Sequence, residues 1–159
     1  MASDFKLKGM KQVMRNLDKA IQDIENRSLK GLILAAIYLR RDMEKTSPTI
    51  PVDFGNLRSS WFVVTSKGET KTTSPIFKED DGTISSSYEQ AKQTATQLAK
   101  QSGKPTVIIG FGANYAVFVH ESVDYNFKRP GSGAKFFEEA LRRNEEQILK
   151  IIQENCLIN

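Results

Sequence analysis

The chain has little of several residues that usually announce a function. It carries one cysteine, Cys156, and one histidine, His120, among 159 residues, which excludes an intramolecular disulfide and any zinc site built from several cysteines or paired histidines. A reducing compartment is the simpler expectation. No apolar run approaches the roughly 20 residues that span a bilayer, and the opening Met-Ala-Ser-Asp-Phe-Lys has no apolar signal-peptide core. The chain is therefore expected in a cytoplasm, or in a particle assembled there, with no membrane partner. Strong charge of one sign is also missing. The 23 basic residues exceed the 19 acidic ones by only four, and acids alternate with bases almost everywhere beyond the first residues. A DNA reader concentrates Lys and Arg on one face, so the excess permits weak contact with polyanions and no more.

What is present describes a globular protein. Hydrophobic residues make up 39% and charged residues 26%, and the length suits one domain over residues 1–159 with a real core. The stretch 47–61 organises the rest. Helical periodicity stops at its left edge and strand periodicity starts at its right. Pro48 and Pro51 forbid continuation of a helix, and Asp53, Gly55 and Asn56 supply turn chemistry.

Before this joint, Met10, Val13, Met14, Leu17, Ile21 and Ile24 recur at helical spacing. A broader apolar face follows with Leu29, Leu32, Ile33, Ala36, Ile37, Leu39 and Met43. Residues 26–28 read equally as a break or a kink, so one long helix and two shorter ones both remain open. After the joint, residues 57–66 alternate as a strand, with Trp61 as the core anchor and cover expected on one face and part of the other. Residues 67–79 are polar, Ile76 and Phe77 excepted, and Asp81-Gly82 is a hairpin dipeptide. These residues predict a projecting β-hairpin arm, either mobile alone or ordered by a neighbouring subunit. Ser86 and Glu89 form a capping-box pattern, opening a helix to about residue 102 with Tyr88, Ala91, Ala95 and Leu98 on one stripe. Gly103 suits its C-terminal cap and Pro105 ends it.

Residues 106–111 predict a central strand. Gly110 and Gly112 lack the spacing of a phosphate loop. Residues 115–121 read as a helical turn or a short strand, Tyr115, Phe118 and Val119 sharing a face only at helical spacing. His120 and Glu121 stand without further metal-ligand candidates and read as a surface or capping pair. Residues 122–133 are a loop presenting Tyr125, Phe127, Lys128 and Arg129, an interleaving that stacks on bases, docks a protein or folds back on its own domain. One helix over about residues 134–154 closes the pattern, with Phe136, Phe137, Ala140, Leu141, Ile148, Ile151 and Ile152 on its apolar face. The fold class is α+β: a small antiparallel or mixed sheet packed by a long N-terminal helix and a C-terminal helix, with an insertion over residues 67–104 made of the hairpin arm and the extra helix.

The order of three short motifs carries a resemblance. Ser47-Pro48 with Gly55-Asn56-Leu57-Arg58-Ser59-Ser60, then Tyr115-Ala116-Val117-Phe118-Val119-His120-Glu121, then Gly133-Ala134-Lys135-Phe136-Phe137 through Ala140-Leu141, resemble the tail-completion family of long-tailed bacteriophages. These are neck proteins, also described as minor capsid or head-tail joining proteins. Three departures stand out: Phe54 replaces the usual Thr, His120 intervenes before Glu121, and the insertion is longer than the family core. The resemblance implies a virion structural protein that is no enzyme and needs no cofactor. It implies a ring, of six copies, closing the tail tube and joining tail to head.

The implied partners are other copies, neck connector or adaptor proteins, and the tail tube or tail terminator protein, with non-specific contact to packaged DNA. Pro48, Gly55, Leu57, Arg58, Trp61, Tyr115, Ala116, Phe118 and Glu121 are the structural motif positions. Ile76, Phe77, Asp81, Gly82, Tyr88, Leu98, Tyr125, Phe127 and Arg129 are the candidate contacts with neighbours. Arg58 is expected to find a carboxylate, in its own fold before a neighbour's. A different neck adaptor, a basic nucleic-acid-binding module and a small hydrolase are the alternatives.

Overall fold

A computed structural model of the chain describes residues 9–52, 56–70 and 86–157. The expected hairpin, with Ile76, Phe77, Asp81 and Gly82, and the turn residues Asp53 and Gly55 lie outside them. Helix α1 (Met10–Lys45) is a single helix of 36 residues, about 54 Å long at 1.5 Å per residue. Residues 26–28 run straight through it. Ser28 Oγ donates back to the Ile24 carbonyl at 2.9 Å, which leaves the main-chain ladder in place. The chain is extended at Thr46, two residues before Pro48, and the Ser47-Pro48 peptide is cis.

Strands β1 (Trp61–Thr65), β2 (Gly68–Glu69) and β3 (Val107–Phe111) form an antiparallel sheet in the order β2-β1-β3. The fold is therefore α+β. In the β1–β3 register Trp61 faces Phe111 and Thr65 faces Val107. Two strand expectations are corrected. The first strand starts at Trp61 and not at Leu57, because residues 56–59 form the one-turn helix α2 (Asn56–Ser59). Ser60 closes that turn, its amide reaching the Asn56 carbonyl at 3.0 Å and its buried hydroxyl the Leu57 carbonyl at 2.8 Å. Such local bonds compete with a ladder, and they turn Leu57 into the core. The second correction concerns β3, which is an edge strand among the described residues, while β1 is central.

Every residue of β1 is buried, so both faces of the sheet are covered. Trp61 and Val63 join Leu39, Met43, Phe136 and Ala140 under α1 and the C-terminal helices. Phe62 and Val64 join Tyr88 and Ala95 of helix α3 (Ser86–Gln101) on the other side. The extra helix thus packs on its own sheet. Its buried face is Tyr88, Lys92, Ala95 and Ala99, and Leu98 points outward, correcting the stripe that placed Leu98 beside Ala95. Lys92 is buried because its ammonium lies 4.9 Å from the Tyr88 ring centre and 3.1 Å from Glu89. Gly103 takes φ +65° behind the helix, the left-handed geometry of a C-terminal cap.

The single C-terminal helix is also corrected. It divides into α5 (Phe136–Arg143) and α6 (Glu145–Cys156) at Asn144, whose side-chain amide donates to the Ala140 carbonyl at 2.8 Å. Arg143 fixes the angle: it binds Asp42 Oδ2 at 2.7 Å and donates to the carbonyls of Ser47 and Thr46 at 3.2 and 3.0 Å. These are groups that a helix C-terminus leaves unpaired. α6 then runs back along α1. A Cβ on Gly31 would lie 3.2 Å from Ile152 Cα and Asn155 Cβ, so the two helices approach closely enough that a side chain there would press α6 outward by a few tenths of an ångström. Their packing ends where Cys156 Sγ sits 3.7 Å from Ser28 Oγ.

Candidate functional site

Because α6 stops beside Ser28, residues 10–24 of α1 project beyond the body over roughly 22 Å. Residues 25–27 still meet it: Lys67 Nζ donates to Asn26 Oδ1 at 2.5 Å, Arg27 donates to the Leu157 carbonyl at 3.2 Å, and Glu25 lines a cleft with Lys67 and Lys104. Met10, Val13, Met14, Leu17, Ile21 and Ile24 are each 46–62% exposed there. The periodicity identifies an apolar face, and nothing among the described residues covers it. Contiguous apolar exposure of this kind marks an interaction surface more often than a solvent face.

A second uncovered apolar surface surrounds helix α4 (Ala116–Glu121). Tyr115 precedes it as the N-cap and is half-exposed. Ala116 and Val119 pack on the core, whereas Val117 is 74%, Phe118 66%, Val123 69% and Tyr125 58% exposed. The shared face expected for Tyr115, Phe118 and Val119 is corrected: the helix is rotated so that Phe118 points out. The rotation is held by the Lys135 amide, which donates to the His120 carbonyl at 2.7 Å. Phe127 lies half-buried, its ring 5.2 Å from that of Tyr125.

The loop after α4 leans on the C-terminal end of α1, through Thr49 N–H to the Gly131 carbonyl at 2.9 Å and a bridge between Thr49 and Ser132. Pro48 packs there against Gly133, where a Cβ would lie 3.0 Å from the proline ring. Two motifs distant in sequence, the proline joint and the glycine-rich loop, are thereby joined. The two apolar surfaces consequently lie at opposite ends of α1.

Between joint and loop sits a charged cluster. Glu44 meets Arg58 Nε at 2.7 Å and Arg40 Nη1 at 2.5 Å, and Arg129 donates to its backbone carbonyl at 3.3 Å with Nη1 4.0 Å from the carboxylate. Arg40 also donates to the Arg58 carbonyl at 2.8 Å and lies 5.7 Å from the centre of the Trp61 ring. The Arg40–Glu44 approach is close but off the line of a hydrogen bond, and Arg40 Nη1 and Arg129 Nη1 are both buried without one. Three guanidiniums thus share one carboxylate. Burial pulls Arg40 below its ordinary value; Glu44 opposes that shift, and neighbouring Arg58 adds to it. Arg58 therefore finds its carboxylate within its own fold. Sequence patterning did not single out Arg40 and Glu44; their i,i+4 spacing was visible, but the two other arginines are brought in by tertiary structure.

Glu44→Gln keeps the shape and removes the shared charge. It should cost about 1–3 kcal/mol, below the value for a fully buried pair because Arg58 is half-exposed. Urea denaturation measures this, and salt at about 0.5 M should recover part of the loss by screening the three guanidiniums.

His120 and Glu121 pair, Nδ1 to Oε1 at 2.7 Å, with the His120 ring partly buried 5.1 Å from that of Phe136. Lys135 bonds the same carboxylate. That bond first, and the one from His120 second, hold Glu121 below the usual carboxylate range, and Glu121 in turn raises Lys135. Among the described residues no group of three or more His, Cys, Asp or Glu is placed to hold a metal, and no helix is long and apolar enough to cross a membrane. Tyr88 is removed from the candidate contacts, since it is buried against Phe62 at 6.3 Å between ring centres. Leu98, Tyr125 and Phe118 remain exposed, and Leu57, Trp61 and Ala116 belong to the core. No family model, curated protein or solved structure matches the chain.

Proposed function

We propose that the chain is a phage virion structural protein that forms a ring at the head-tail interface, closing the end of the tail tube and joining the tail to the head. The observation that supports this best is the pair of uncovered apolar surfaces, the N-terminal half of α1 and the outer face of α4, at opposite ends of one long helix. A ring is built from heterologous contacts, which need two different surfaces on each subunit. The order of the Ser-Pro, Tyr-Ala and Gly-Ala-Lys motifs selects the neck among such assemblies, with other copies, connector or adaptor proteins and the tail tube or terminator protein as partners.

Electron microscopy of particles assembled without the chain tests the reading. Filled heads and finished tails should accumulate apart; joined virions would overturn it. A chain lacking residues 71–85 should keep its helical circular dichroism yet fail to join heads to tails, because so polar a sequence suits contact with a neighbour better than a core. Normal joining by the shortened chain would remove the insertion from the interface.

A further inference from the structure

We propose that in the free protein the bare seam of α1 is covered by the same seam of a second copy, the two helices running antiparallel. Met10, Met14, Leu17, Ile21 and Ile24 follow one another at intervals of four, three, four and three, the spacing of a coiled-coil seam. The progression does not stop at Ile24. It continues through Ser28, Gly31 and Ala35, and there a helix already lies on it: Cys156 against Ser28, Ile152 and Asn155 against Gly31, with Ala35 buried. α1 thus carries one continuous seam. α6 covers its C-terminal part, and among the described residues nothing covers the rest. The vacant part is shaped for another helix in line with α6.

A second copy supplies such a helix, and symmetry with charge selects how it lies. In an antiparallel pair Met14 faces Ile24 of the second copy and Leu17 faces Ile21, and Met10 comes level with Ser28, where Cys156 ends α6. The second helix therefore abuts the end of α6 at that level and covers the seam from there toward Met10. On one flank Lys11 then comes beside Glu25 of the second copy, twice by symmetry, at the edge of the cleft that Glu25 lines with Lys67 and Lys104 of its own chain, with Asp18 opposite itself as the single like-charge contact. On the other flank Ala20 meets Ala20, whose small side chains permit close approach. A parallel pair would instead set Val13 beside Asp18 and Ala20 beside Glu25, with no opposite charges matched. Flank charges of this kind decide orientation in coiled coils.

The pairing belongs to the free chain and does not depend on the ring reading. In a ring the arm would be re-covered by whatever contact the neck supplies.

The test uses the full chain with Cys156→Ser and a single nitroxide-labelled cysteine at Gln12 or at Lys19, both on the face away from the seam. In the antiparallel pair the two Lys19 positions stand level, and the two Gln12 positions are offset by about 21 Å along the axis. Dipolar distances should accordingly be short at 19 and clearly longer at 12. Sedimentation equilibrium should give twice the monomer mass, and Leu17→Glu with Ile21→Glu should weaken association at least about a hundredfold. Thermal melting of that variant is expected to stay unchanged when both proteins are compared as monomers at high dilution, since both side chains are exposed in the single chain. Equal distances at 12 and 19, a monomer at every concentration up to about 1 mM, or a mass indifferent to the double substitution would overturn the proposal. Loss of pairing with normal head-tail joining leaves the ring reading standing.

Discussion

Trp61→Ala should lower the stability of the protein by about 3–5 kcal/mol, the range for deleting a buried indole. Trp61 is 2% exposed at the start of the central strand, edge-on to Phe111 at 5.3 Å and to Phe137 at 6.5 Å between ring centres. Its removal opens a cavity that α1, β3 and α5 cannot all close, because each is tied elsewhere. Arg40 loses the ring it lies over as well, a contact worth roughly a further 0.5–2 kcal/mol where it is partly desolvated. A fall of about 6–20 °C in melting temperature follows at 2–4 °C per kcal/mol for a chain of this size. Scanning calorimetry reads it directly. A loss below about 1 kcal/mol would mean that the site collapses freely and that Trp61 is not the anchor of this core.

Gly112→Ala should be nearly as damaging, for the opposite reason. A Cβ at Gly112 would fall 2.2 Å from Tyr88 Cδ2 and 3.0 Å from Tyr88 Cα. The ring cannot swing aside, being fully buried against Phe62. Since the Tyr88 backbone is also in the way, helix α3 itself must move. Overpacking costs about 1–3 kcal/mol and more when backbone has to shift. The expected result is a loss of about 3 kcal/mol, at the upper end of that range. Hydrogen exchange should accelerate in α3 while α1, α5 and α6 keep their protection, because α3 belongs to the separate cluster on the far face of the sheet. Adding Tyr88→Ala should relieve part of the clash, so the double variant falls short of the sum of the single losses. Strict additivity, or equal acceleration in both clusters, would sink this account.

The two substitutions probe opposite faces of β1, and that division is readable in the sequence. The alternation Trp61, Val63 against Phe62, Val64 assigns each residue to a face, and the structure sends the first pair under α1 and the second under α3. The alternation does not reveal that both faces are equally covered. Cover of the second face comes from α3, and a narrow alanine-rich stripe says only that some surface must approach closely. The stripe also misplaced Leu98 by one position, since Ala99 and Lys92 lie on the sheet side and a lysine does not announce itself as buried. The split of the last helix at Asn144 was likewise invisible, because no glycine or proline marks it. Arg143 imposes it by binding the end of α1.

The candidate surfaces divide in the same way. Helical periodicity located the stripe from Met10 to Ile24 and the short Tyr-Ala segment, but a period states that a face is apolar, never what lies on it. The arginine cluster was half legible, as an Arg40–Glu44 spacing on one helix, while Arg58 and Arg129 reach Glu44 only because the loop folds back onto the joint.

By itself the sequence determined where the first helix ends, since Pro48 removes a donor and fixes a dihedral whatever surrounds it. It determined too which residues share a face, since that follows from 3.6- and 2-residue periods. Only the tertiary structure decided which of those faces are covered. α6 ends beside Ser28, so one seam on α1 is core on the C-terminal side of that point and bare on the N-terminal side, and burial depends on the position of another element rather than on the residues buried.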